Sequence, residues 1–152
     1  MWTPLRKEIS KICQDLNIPE ERFKELSIHD WQSIQENIFN KFNDSNGKRL
    51  KGDTYAIQIL YNYPFDQLLT LVGNEEKVWL FLDETVRERN KFWFYQGYIK
   101  DIVTILGETT QSDEVFVASK KYEWLLHVNH HDYIIASGRE MCGKLMKLES
   151  AK

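Results

Sequence analysis

Cysteine is scarce in this chain: Cys13 and Cys142 are the only two among 152 residues, each on an apolar helical position and without CxxC spacing. That argues against a disulfide framework and reads as two buried thiols. Long apolar runs are missing as well. None approaches the ~20 residues a membrane span needs. The start, MWTPLRKEIS, has no apolar segment leading to a small-residue cleavage site. The expectation is a cytoplasmic protein without a membrane partner. Catalytic signatures are equally thin, with no Gly-rich phosphate loop, no GxSxG elbow and no HExxH helix. Repeats, low-complexity tracts and dividing linkers are absent too, so the chain reads as one domain, 1–152.

Charge is nearly balanced, with a formal net of −3. Residues 1–51 carry 9 basic and 8 acidic side chains and residues 52–152 carry 11 and 15, so the acidity sits in the C-terminal two-thirds. A pI near 5.8 argues against a phosphate-binding surface, and no nucleic-acid partner is expected. Aromatics are plentiful, with five Trp, seven Tyr and eight Phe, which predicts a core rich in rings. Trp79, Phe81, Trp93 and Trp124, on the most apolar segments, are expected in one cluster.

Helical spacing of Leu5, Ile9, Ile12, Cys13 and Leu16 after Thr3-Pro4 predicts a first helix. A short second helix is expected over Glu20 to Leu26. A third starts at Asp30 and puts Trp31, Ile34, Ile38 and Phe42 on one face. Together these three form an N-terminal helical layer. The loop 43–53, with Lys48, Arg49 and Lys51, reads as solvated. Residues 54–62 fit strand or helix, and the strand is preferred. Phe65 to Val72 is a short helix, Lys77–Asp83 a strand buried on both faces, and Lys91–Gln96 its partner across the charged connection 84–90. A helix closed by Gly107, a strand over Glu114–Ser119 and a last helix from Arg139 to Leu148 complete the order.

The chain is organised around KKYEWLLHVNHHDYIIASG, residues 120–138, which holds three of its four histidines. Alternation puts Tyr122, Trp124, Leu126 and Val128 on one face of a strand and Glu123, Leu125 and His127 on the other. Tyr133 to Ala136 forms the return strand, and Asn129, His130, His131 and Asp132 are the hairpin loop. His130, His131 and Asp132 are the candidate functional surface. Two adjacent imidazoles are an unusual choice for a turn that only reverses the chain. No catalytic residue, metal ligand or cofactor site is assigned. A metal site on His127, His130, His131 and Asp132 is the sharper alternative, yet adjacent loop histidines diverge and no second ligand cluster has recognisable spacing.

KVWLFLDE, KFWFYQG and KKYEWLLHVNHHDYIIASG together resemble a family of small uncharacterised bacterial proteins, a domain of unknown function in which a Tyr-Glu-Trp-Leu strand runs into Asn-His-His-Asp. The resemblance spans about Lys77 to Gly138 and implies no catalytic residue. In size, acidity and layout the chain is also similar to toxin-immunity proteins and SUKH-like proteins. The expectation is an α+β domain, with a mostly antiparallel sheet of five or six strands covered by the N-terminal helical layer and a C-terminal helix. Its expected role is to bind a protein partner; the alternative is a metal-dependent or His-based hydrolase centred on residues 127–132.

Overall fold

The computed structural model describes residues 4–43, 52–59, 64–83, 92–109 and 114–150. Its strands are β1 (Phe23–Glu25), β2 (Thr54–Gln58), β3 (Lys77–Asp83), β4 (Phe92–Tyr98), β5 (Glu114–Ser119), β6 (Leu125–Val128) and β7 (Tyr133–Ser137). They form one antiparallel sheet in the order β1-β4-β3-β5-β6-β7-β2. The helices are α1 (Pro4–Asp15), α2 (Ile28–Phe42), α3 (Gln67–Val72), α4 (Ile99–Glu108) and α5 (Arg139–Ser150). The class is α+β as expected, and residues 54–58 are a strand. The basic cluster Lys48, Arg49, Lys51 and the charged connection 84–90 lie outside the described residues.

The seventh strand is β1, where a helix was expected. Phe23 and Leu26 have helical spacing, but they pack on opposite sides of the sheet. Phe23 lies opposite Gly97 and stacks on Tyr95, ring centroids 5.0 Å apart. A Cβ at position 97 would come 2.8 Å from the Arg22 carbonyl oxygen and 2.9 Å from the Phe23 ring. The glycine therefore lets β1 lie against β4, and this tertiary pairing overrides a weak local preference. Arg22 fixes the entry by binding Glu75 at 2.7 Å and Asp101 at 2.8 Å.

The helices do not form one N-terminal layer. The sheet separates them: α1, with buried Leu5 and Ile9, joins α3, α4 and α5 on one face. α2 covers part of the other face, where Ile38 and Phe42 pack on Phe81, Phe94, Ala118 and Leu125. Period-two alternation along β3 feeds both cores, sending Val78, Leu80 and Leu82 to the larger one and Phe81 to the α2 side. The aromatic expectation is corrected by the same rule. Trp79 and Phe81 share the α2 side, whereas Trp93 and Trp124 pack against the larger core.

The β5–β6 connection is tighter than the alternation pattern implies. Ser119 Oγ accepts hydrogen bonds from the Glu123 and Trp124 amides at 2.6 and 3.4 Å, and Tyr122 has φ +58°. This left-handed residue breaks the alternation, so Tyr122 faces the α2 side while Trp124, Leu126 and Val128 face the other. At the far end of the hairpin, Gly138 (φ +102°) turns β7 into α5; its amide donates to the Asp53 carbonyl and its carbonyl accepts from Cys142.

Candidate functional site

Strand register assembles the site from residues far apart in sequence. Phe94, Phe81, Phe116 and His127 are successive cross-strand neighbours on β4, β3, β5 and β6. Their rings stack at 4.8, 4.7 and 4.1 Å, and Trp31 of α2 closes the near end on Phe94 at 5.5 Å. Such offset-stacked rings gain about 0.5–1.5 kcal/mol per pair beyond area burial. The row runs from the core under α2 to the surface, and His127 is its outer member.

Beyond the row stands Glu114, two residues from Phe116 on the same strand face. Its two carboxyl oxygens meet two imidazoles, His127 Nε2 and His130 Nδ1, each at 2.7 Å. Glu114 and His127 are mostly buried, at 17% and 21% side-chain exposure, whereas His130 is 54% exposed. An ionised carboxylate only accepts, so in that state both rings donate to it. The His131 ring lies against that of His130, centroids 3.9 Å apart.

The turn that presents these rings is built by Asn129. Its Oδ1 accepts from the His131 and Tyr133 amides, both at 3.0 Å, as an Asx turn does. The Asp132 amide donates to the Asn129 carbonyl at 3.2 Å, and Asp132 adopts φ +64°. The Asp132 carbonyl accepts from Ile59, and the His131 carbonyl accepts from Gln58 Nε2, which ties the turn to the β2 segment. The contribution of Asp132 is thus its backbone conformation, which Asp tolerates better than most residues. Asn129→Ala is expected to cost about 1–2 kcal/mol through two lost amide acceptors. Asp132→Gly should stay within ~0.5 kcal/mol, since glycine adopts positive φ freely. Urea unfolding of both variants checks the pair: a larger loss from Asp132→Gly would place the ordering role on the wrong residue.

Of the three expected surface residues, His130 and His131 lie together at the turn, and His127 joins His130 through Glu114. Glu114 and Phe116 were not foreseen as members. Only the β5–β6 register brings them there, and the single sequence signal was their alternate spacing with Ala118 on a predicted strand. Among the described residues, no group of three or more His, Cys, Asp or Glu is arranged to hold a metal ion. Two described cavities lie elsewhere. One, of about 590 Å³, is bordered by Arg6, Cys13 and Phe23, and the other, of about 470 Å³, by Thr54, Arg139 and Met146.

Just past the opposite end of β5 from Glu114, the Lys120 amine donates to Gln96 Oε1 at 2.8 Å and sits 4.5 Å from the Trp79 ring. Burial, with the nearby Lys77 charge, pushes its pKa down to about 8.

A model of a family of unknown function, DUF6756, matches residues 1–149. The chain belongs to this family. The match extends over both sheet edges and all five helices, well beyond the stretch 77–138 that carries the sequence resemblance. No curated protein and no solved structure matches significantly. Within this family member, the surface built on Glu114, His127 and His130 is the candidate that geometry singles out.

Proposed function

We propose that the protein is a cytoplasmic binding protein that engages a protein partner on the half of the sheet face that α2 leaves uncovered, with the His130-His131 turn at its border. The observation that carries this reading is the termination of the covered core at Phe116. From Phe116 through His127 to Ile135 the side chains are only half-buried, and Tyr133, Ala56 and Gln58 are exposed. An apolar and aromatic centre with few charges is the composition found at the middle of protein interfaces. The acidic excess of the chain favours a neutral or basic partner, as in an immunity-type complex.

The test is comparative capture. His130→Ala and Tyr133→Ser should stay folded and lose the partner that the wild-type chain retains from a lysate of the source organism. Lys144→Ala, on the opposite side of the molecule, should retain it. If all three variants capture it equally, this surface is not the binding site.

A second reading, a His-based hydrolase, is favoured by one feature: Glu114 holds the half-exposed His130 by Nδ1, the arrangement in which a carboxylate orients a general base. Turnover of an activated ester that Glu114→Gln and His130→Ala both abolish would favour this reading over the first.

A further inference from the structure

The sheet has two outer edges, and they are built differently. β1 has three residues, two of them charged, and Glu25 is engaged by Arg6 at 2.5 Å. Short, charged edges of this kind resist pairing with another chain. β2 has five residues, TYAIQ, without a charge, a proline or a glycine. Among the described residues, no strand pairs with its outer side.

The register shows which groups β2 presents there. The amides of Ile59 and Gly138 donate to the carbonyls of Asp132 and Asp53, so odd-numbered residues of this segment form the hydrogen-bonded pairs with β7. The amide and carbonyl groups of Thr54, Ala56 and Gln58 therefore point away from the sheet. A strand is the natural complement of such a row.

Exposed apolar side chains gather at the same edge. Three large ones stand out among the described residues: Leu16, Tyr133 and Met146, at 45%, 37% and 47% exposure. Tyr133 is the cross-strand neighbour of Gln58 on the α2 side. Met146 shares a cavity wall with Thr54 on the α5 side. Two of the three thus flank β2, one on each face of the sheet.

We infer that β2 pairs antiparallel with β2 of a second copy of this chain, about a two-fold axis at Ala56. In that arrangement Thr54 faces the partner copy's Gln58 and Ala56 faces its counterpart. The outward amides and carbonyls of the two strands satisfy one another. No charge on β2 meets its own kind across the axis, as it would in an unsuitable self-pairing edge. The sheet becomes continuous through the two copies, with α5 of each alongside the junction, and the partner-binding face stays open. The inference rests on the backbone edge of β2 and does not depend on the proposed function, although Ala56, Gln58 and Tyr133 border both surfaces.

Sedimentation equilibrium of the full chain tests it. The wild type should be a dimer at tens of micromolar. Ala56→Pro removes only an outward amide and leaves the β7 ladder donors in place, so a folded monomer is expected. Ala56→Lys sets two like charges opposite each other and should weaken dimerisation by roughly tenfold or more, less so in high salt. Thermal melts establish that each variant is folded; should the proline variant fail to fold, the lysine variant decides. A monomeric wild type overturns the inference, and so does a dimer that persists undiminished in the folded variants.

Discussion

Phe81→Ala should lower the unfolding free energy by about 3–5 kcal/mol, the usual cost of deleting a fully buried ring from a packed core. The side chain is 1% exposed, and its ring lies between those of Phe94 and Phe116 at 4.8 and 4.7 Å. Removing it takes away both stacks and opens a void in the middle of the row, under Ile38 and Phe42 of α2. Neither neighbour can close the gap cheaply, because each is fixed by its own strand. Chemical denaturation followed by tryptophan fluorescence measures the loss. A midpoint within error of the wild type would show that the α2-side core does not depend on the row. The consequence reaches the candidate site as well, since His127 is stacked on the same Phe116.

Gly138→Ala is expected to cost about 3–5 kcal/mol through backbone strain and overpacking together. The residue has φ +102°, where L side chains are rarely found. An added Cβ would lie 2.5 Å from the Glu123 carbonyl oxygen and 3.2 Å from the Trp124 Cα. Both are backbone atoms of the tight β5–β6 connection, held by Ser119, so they cannot step aside as a flexible side chain would. The substitution should reduce the soluble yield and the melting temperature together. An unchanged melting temperature would mean that the connection yields readily, contrary to the hydrogen bonding that Ser119 supplies.

The parts of the fold legible in the sequence are those whose determinants are local. The apolar face of α2, Trp31, Ile34, Ile38 and Phe42, follows from spacing alone, and all four pack into the α2-side core. Met141, Cys142 and Leu145 of α5 are likewise buried as their spacing predicts. The near-continuous apolar run of β3 correctly marks a strand covered on both faces. What was not legible depends on partners distant in the chain. β1 needs the bare backbone of Gly97 to receive Phe23, and nothing in residues 20–26 records that. The position of Tyr122 follows from a left-handed backbone that alternation cannot express. The expected site shows the same limit: its histidines were visible as a cluster, but the carboxylate that joins two of them is thirteen residues upstream of His127 and becomes their neighbour only through strand pairing. Within the turn, the ordering side chain is that of Asn129, and Asp132 contributes its left-handed backbone.

Strand order also bears on how the chain is made. The five strands from β3 to β7 all lie between residues 77 and 137 and form the middle of the sheet, while β1 and β2, drawn from the first 58 residues, occupy its two edges. During synthesis the N-terminal segments emerge first, yet β1 has no strand to join before β4 has been made, and β2 none before β7. The ribosome therefore delivers the uncharged β2 segment long before its lawful neighbour exists. For that interval its amides and carbonyls have no native ladder to join on either side.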